Sequence, residues 1–210
     1  MVLGDFHVNI TNIKTSLRRP YRMVTRAEAT AATAERILDA AAEVFWELPS
    51  DQISLDAVAR RAGVTVQTVI RRFGGRDGLL AAGVERESGK VRRQRDEAVS
   101  GDPAGAVRVL VEHYEVMGDR VLKMLAEEER VPALRAIVDR GRALHRTWCA
   151  RVFGPALARL SGLERERRLA QFAAVCDVYT WKLLRRDAGL SRRQTELAVI
   201  ELLNPLLEGS

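Results

Sequence analysis

The chain has 210 residues, 47% of them hydrophobic and 30% charged, with a formal net charge of +6. That length suits one small and one larger domain, each with a core of its own. No apolar run reaches the ~18 residues that a membrane span requires. The opening Met1–Arg22 lacks the apolar centre of a secretory signal and holds no acid after Asp5, so the expectation is a cytoplasmic protein with no membrane partner.

Residues 1–30 show no sustained period and read as a flexible basic arm, in which Lys14, Arg18, Arg19, Arg22 and Arg26 follow one another without an acid. Such a stretch is either a disordered tail or an arm that follows a DNA minor groove. Met23 stands just before the helix-competent stretch Thr25–Leu48, and translation starting there is one reading of this end. Ile37, Ala40, Ala41, Val44, Phe45 and Leu48 recur at three- and four-residue steps. They predict an amphipathic helix over Ala34–Leu48, stopped by Pro49. Two short helices follow, around Ser54–Ala62 and Val66–Phe73, meeting at Gly63, with Ser54 and Thr65 at the N-cap positions.

Arg60, Arg61, Arg71, Arg72 and Arg76 fall in this stretch without one acid between them. A solvated face is the plain reading of that cluster, and a helix directed at an anion is the sharper one. Two short helices buried by a longer one are what a chain needs to push a helix into a DNA major groove.

Leu79, Leu80, Val84 and Val91 carry a fourth helix out of this unit, weakened at Gly83 and Gly89. Asp102-Pro103 starts the next helix, through Val107, Leu110, Tyr114, Met117, Val121 and Met124, with a break near Gly118 as one option. Pro132 opens another, which continues through Leu144 and Trp148 to Phe153 and ends at Gly154-Pro155. A long helix over Leu163–Arg186 is closed by Gly189, and Ser191 with Gln194 begins the last one in a capping-box pattern. That last helix is apolar on two sides (Leu197, Ile200, Leu203, Leu207 and Val199, Leu202, Leu206), so one side is expected to meet a second chain.

From Ser50 to Ser210 no strand-like alternation stands out. The expected fold class is therefore all-α: a three-helix DNA-binding domain with a helix-turn-helix over residues 31–80, and a helical bundle over 81–210. Cys149 and Cys176 lie far apart within helical patterns, and His7, His113 and His145 have no ligand spacing. No metal and no cofactor are expected, and both cysteines read most simply as small buried hydrophobes.

Ile37-Leu38-Asp39-Ala40-Ala41 with Phe45, Ser54-Leu55-Asp56-Ala57-Val58-Ala59, Ala62-Gly63-Val64, Thr68, Arg72-Phe73, Arg76-Asp77 and Leu79-Leu80 together resemble the tetracycline-repressor (TetR) family. The resemblance covers about fifty residues and three helices in order. It implies an all-α homodimer whose C-terminal domain binds a small-molecule effector and whose two recognition helices meet a palindromic double-stranded operator. By position, Val66, Gln67 and Arg71 would face base edges, while Thr68, Ile70 and Arg72 would lie at or near phosphates; Thr65, the cap of this helix, is counted among the DNA-binding residues. Ser54 opens the preceding helix, where free N–H groups favour a phosphate, and Arg76 falls where the family often has a backbone-gripping lysine. Ile70 replaces the usual phosphate-binding tyrosine, Pro49-Ser50 the glycine-aromatic turn, and Gly74-Gly75 a proline-led turn.

For the effector, the candidate lining is Tyr114, Met117, Met124, Trp148, Phe172, Cys176 and Tyr179, with His113 as a polar handle; plain core packing is the competing reading. Trp181, Val199, Leu202 and Leu206 are the dimer candidates, Trp181 with an intrachain role as its alternative. No phosphate loop, nucleophile elbow or His-Glu-x-x-His pair is present, so an enzyme is not expected. Two alternatives stay open beside the regulator: a protein-binding adaptor on the same fold without DNA affinity, and an all-α enzyme.

Overall fold

Apolar residues at helical spacing dominate the sequence, and the architecture follows from them. The computed structural model describes residues 18–48 and 52–208, and none of those is in a strand. The helices are α1 (Arg18–Glu47), α2 (Leu55–Ala62), α3 (Val66–Phe73), α4 (Arg76–Asp96), α5 (Pro103–Glu127), α6 (Pro132–Val152), α7 (Gly154–Leu157), α8 (Gly162–Val175), α9 (Val178–Lys182) and α10 (Arg192–Glu208), with a π turn over Leu183–Asp187. Among the described residues no helix is long and apolar enough to cross a membrane. The chain divides into two compact units, the first ending at Leu79 and the second beginning at Leu80.

In the first unit α1 starts at Arg18, so the arm expected over residues 1–30 is helical from residue 18 onward. The propensity of the run from Ala27 to Arg36, rich in Ala and Glu, carries the helix back beyond its apolar stripe. Residues 1–17 and the Pro49-Ser50 turn lie outside the described residues. Ile37, Ala40 and Val44 of the expected stripe are buried, joined by Leu38, while Ala41, Phe45 and Leu48 are half-buried. Val58, Ala59, Ala62, Val69 and Leu79 complete the core of this unit.

The second unit departs from the sequence reading in three places. Instead of breaking at Gly118, α5 runs through it, because Gly118 is where Trp181 packs: a Cβ there would lie 2.4 Å from the indole Cζ3. Gly154-Pro155 does not simply end α6 but opens the one-turn helix α7, proline being at home in a first turn. The long helix expected over Leu163–Arg186 is three pieces. Asp177 takes an extended conformation and its carboxylate accepts from the Tyr179 N–H at 2.9 Å, capping α9 and interrupting α8. The π turn comes next, closed by the Ala188 N–H on the Leu183 carbonyl at 2.9 Å.

That wider turn brings two arginines back onto α5. Arg185 donates to both Glu115 oxygens at 3.0 and 3.2 Å, and Glu115 also accepts from Trp181 Nε1 at 3.1 Å. Arg186 pairs with Asp119 at 3.0 Å and lies 4.5 Å over the Trp181 ring. The capping box of α10 forms reciprocally: the Gln194 N–H donates to Ser191 Oγ and the Ser191 N–H to Gln194 Oε1.

This packing has two measurable consequences for stability. Gly118→Ala forces a methyl group against a fixed indole, so it should cost about 1–3 kcal/mol as overpacking. Its thermal unfolding midpoint should fall, and the losses of Gly118→Ala and Trp181→Leu should be less than additive in the double variant. The second concerns His113, 4% exposed, whose pKa is lowered to about 3 by burial first, then by the Arg95 charge and last by the neighbouring His145. The unfolded imidazole takes its proton near pH ~6.5 and the folded one does not, so the folded state loses ground as pH falls below about 6.5. Denaturant midpoints measured between about pH 7 and 5, above the carboxylate range, should drop for the native chain and drop less for His113→Gln.

Candidate nucleic-acid interface and buried polar core

The turn between α2 and α3 is built from backbone hydrogen bonds. Gly63 sits at φ 64 and its N–H donates to Arg60 O at 3.2 Å, while the Val64 N–H donates to Ala59 O at 3.0 Å. This double closure ends a helix sharply and needs the left-handed conformation that glycine adopts without a steric penalty. The hydroxyls of Ser54 and Thr65 accept from the N–H groups of Ala57 at 3.1 Å and Thr68 at 3.2 Å, capping α2 and α3. Thr68 Oγ1 lies 2.9 Å from Thr65 Oγ1, so these two hydroxyls share a hydrogen bond. At the far end α3 stops on Gly74 at φ 75, whose N–H donates to Ile70 O at 2.8 Å.

Val69 is the buried residue of α3, which packs against α2 on that side. Gln67 and Arg71 are exposed and Ile70 is 39% exposed, at the three- and four-residue spacing of one helix face. Val66, Thr68 and Arg72 are half-buried, and Arg72 Nε is buried without a hydrogen-bond partner. Ser54, Thr65 and Arg76 are exposed, the last opening α4.

The five arginines do not act alike. Arg60 pairs with Asp56 one turn earlier. Arg61 reaches α1, donating to Glu43 at 2.8 Å and to both oxygens of Glu47 at 2.5 and 3.0 Å, and its hydrogen bond holds the Glu47 carboxyl below its ordinary range. Both pairs are exposed, so they orient more than they stabilise. Arg71 makes no ion pair among the described residues, which leaves its charge available at the exposed face of α3. The sequence could not separate these cases, because Glu43 and Glu47 stand 18 and 14 positions before Arg61.

The effector candidates fall mostly into packed core. Phe172 stacks on Phe153 at 4.3 Å between ring centres, and Tyr114, Trp148 and Cys176 belong to the same buried cluster. His113 is buried beside them; Met117 and Met124 are half-buried. Tyr179 is 53% exposed, because the Asp177 break turns it outward. A groove of about 170 Å³ lies elsewhere, lined by Gly101, Pro103, Phe153, Arg159 and Leu207 among others. Of the dimer candidates, Trp181 and Val199 are each 2% exposed within their own chain, which makes them core rather than surface anchors. Leu202 is 50% exposed and Leu206 half-buried.

What the sequence did not reveal is a polar cluster inside this core. Arg95, near the end of α4, is 8% exposed and donates from Nη1 to His145 Nδ1 at 2.9 Å and from Nη2 to the Tyr114 hydroxyl at 3.4 Å. Its guanidinium lies 5.0 Å over the Trp148 ring and 5.7 Å over Tyr114. Tyr114 in turn donates to Cys176 O at 3.2 Å, and its phenol pKa is pushed up to about 12, chiefly by burial. Trp148 Nε1 and Arg151 Nη2 both donate to the Arg95 carbonyl, at 3.0 and 2.9 Å, capping the end of α4. Cys149 and Cys176, far apart in the sequence, are both here. No signal in the linear sequence joins these residues, since α4, α5, α6 and α8 each contribute separately. Among the described residues no cluster of metal-ligating side chains forms.

Residues 37–82 match the bacterial regulatory proteins of the tetR family. Over 85 residues the chain is 33% identical to an uncharacterised HTH-type transcriptional regulator of Mycobacterium tuberculosis (strain ATCC 25618 / H37Rv). That match covers 40% of this chain and 42% of the relative, so the chain spans less than half the length of the curated relatives it matches. A transcriptional regulator from Rhodococcus sp. Rha1 has the same fold, with a TM-score of 0.64 at 23% identity over 84% of this chain and 96% of its own. The multidrug binding protein EbrR, solved with imidazole, aligns with a TM-score of 0.52 at 23% identity over 80% and 88%. Residues 37–82 thus carry the N-terminal domain of the tetR family of bacterial regulatory proteins.

Proposed function

We propose that this protein is a cytoplasmic, ligand-responsive transcriptional repressor that binds a palindromic operator as a homodimer. The observation that carries the reading is α3. It is capped at both ends, buries Val69, and presents Gln67, Ile70 and Arg71 on one exposed face. Gln67 has the donor and acceptor pair that matches adenine, and Arg71 the fork that matches guanine. Ile70 offers a methyl surface for thymine or sugar, and Thr65, Thr68, Arg72 and Arg76 surround that face as phosphate contacts. The N-terminus of α2, with Ser54 as its cap, is a further phosphate site.

Dimerisation is supported by the large apolar side chains that the second unit leaves exposed on its last helices: Leu163, Tyr179, Leu183, Leu197 and Leu202, each at least half exposed. The effector is a small apolar or aromatic molecule; EbrR, of similar fold, is described as a multidrug binding protein. Its candidate contacts are close-packed, so ligand entry requires Tyr114, Trp148 and Phe172 to repack. Ligand and operator affinities are then reciprocally coupled, by about 1–3 kcal/mol in typical cases.

A gel shift with the DNA upstream of the protein's own gene tests the whole reading, and selection from random oligonucleotides should return inverted repeats with half-sites one helical turn, ~34–36 Å, or a multiple apart. Absence of any inverted repeat would overturn it. Gln67→Ala should lose about 1–3 kcal/mol at a single base pair, read by singly substituted operators; equal loss on every sequence would assign Gln67 to the backbone instead. Leu202→Glu should move the sedimenting mass from twice 23.4 kDa towards one copy and weaken operator binding with it.

A further inference from the structure

Where the chain passes from α4 to α5, the second unit folds around a hollow. Gly101, at φ 81, turns the chain ahead of Pro103, and its N–H donates to Val152 O at 3.0 Å. Ser100 Oγ donates to Arg151 O at 2.8 Å, and Arg151 Nη1 to Ala98 O at 2.8 Å, so this loop is tied to the end of α6. Pro155 of α7 faces the loop: a Cβ on Gly101 would lie 3.5 Å from its Cγ. Val152 and Phe153, each 1% exposed, form the floor, and half-buried Leu207 in the last turn of α10 forms a wall.

This is the groove of about 170 Å³ described above. The hollow has a local cause. Ala156 contributes a methyl group and Gly101 no side chain, while Pro103 and Pro155 keep their rings close to the backbone. Protein interiors pack without voids larger than a water molecule, and an apolar hollow of about 150 Å³ takes up a benzene ring. This groove is therefore of the size for one ring with a small substituent, and it is reached from solvent, since Gly101, Pro155 and Arg159 are exposed.

The lining carries charge of one sign. Arg159 is the one ionisable side chain in it, and it forms no ion pair or hydrogen bond among the described residues. The Asp102 carboxylate, between Gly101 and Pro103, is engaged as the cap of α5, where it accepts from the Gly105 N–H at 2.9 Å. Arg168 donates to Leu206 O, which puts a second guanidinium beside the α10 wall. Glu208, the next residue of α10, pairs with neither arginine among the described residues. A guanidinium at the rim of an apolar hollow offers two parallel N–H donors to a carboxylate whose hydrocarbon part leaves water. An inorganic anion would use the charge and leave the apolar floor hydrated.

We propose that this groove binds a small carboxylic acid whose apolar body is the size of one ring. The carboxylate is held by Arg159, and the ring lies between Pro103, Pro155 and Leu207 over Phe153. The site is separate from the effector contacts proposed above, none of which lines it. It adjoins them through Phe153, whose ring stacks on Phe172 at 4.3 Å and meets Trp148 edge-on at 6.3 Å. Binding here does not depend on the DNA-binding reading.

The test is a titration of the full chain, labelled with 15N, with sodium benzoate, followed by amide NMR. Saturable shifts are expected at Gly101, Val152, Phe153, Ala156 and Leu207, with a dissociation constant on the order of 1 mM or tighter, as a ligand of about nine non-hydrogen atoms allows. Arg159→Gln should weaken binding by roughly 3- to 10-fold, the worth of one exposed charge-assisted contact. Benzyl alcohol, which keeps the ring and lacks the charge, should bind the native chain more weakly by a similar factor. Ala156→Leu, which fills the hollow, should abolish the shifts while the rest of the amide spectrum stays that of the folded chain. No saturable shift up to about 20 mM benzoate would overturn the proposal, as would equal affinity for benzyl alcohol or for benzoate in Arg159→Gln. Shifts centred instead on Tyr114, Cys176 and Tyr179 would overturn it and support the effector contacts proposed above. A chain that takes benzoate in the groove and binds no operator would refute the operator reading and leave this site standing.

Discussion

A positive charge buried without a carboxylate is the constraint around which the second unit is arranged. Arg95 has had its water removed, and the desolvation of one guanidinium costs several kcal/mol unless the surroundings replace those hydrogen bonds. They are replaced by groups from separate helices: His145 from α6 and Tyr114 from α5, with the Trp148 ring across the guanidinium face. The backbone of the same residue accepts from Trp148 and Arg151. One position thus fixes the end of α4, the orientation of α5 and α6, the tautomer of His145 and, through that ring, the environment of Cys149. A network of this kind is strongly coupled, since removing any member leaves its neighbours unsatisfied.

The first unit obeys a different logic. Its core is small and aliphatic, and its turn is set by backbone geometry at Gly63 and by two hydroxyl caps. Charge is divided between arginines paired within the unit and charge left on an exposed face. Arg60 and Arg61 are engaged by acids of the same unit, whereas Arg71 leaves the exposed face of α3 electropositive. A uniform count of basic residues would miss that division, which is why net charge alone says so little about where an anion docks.

The sequence was most legible where local rules decide the structure. The apolar spacing of Ile37, Ala40 and Val44, the capping residues Ser54 and Thr65, and the capping box at Ser191 all appear where periodicity and hydrogen-bond chemistry put them. It was least legible where contacts between distant helices override those rules. Gly118 has the look of a weak point in α5 and is instead the floor on which Trp181 rests. Trp181 and Val199 carry the composition of an interface and serve their own chain's core. The continuous apolar side from Leu169 to Leu183 hides an interruption, since an aspartate inside a helical pattern does not announce that its own carboxylate will cap a new turn. The aromatic and methionine stripe leaves a ligand lining and plain core packing both open in the sequence, because cavity walls and packed cores draw on the same residues.

The π turn has one residue more than an α-helix would use for the same advance, and that surplus sets the direction in which Arg185 and Arg186 leave the helix. Excising one residue from Leu183–Asp187 would let the segment relax to ordinary winding, turning the residues that remain before Gly189 by roughly a hundred degrees. Arg185 and Arg186 would swing away from Glu115 and Asp119, and the indole would lose its lid. A single-codon deletion here would therefore act by re-aiming two arginines at once, rather than as the loss of a side chain.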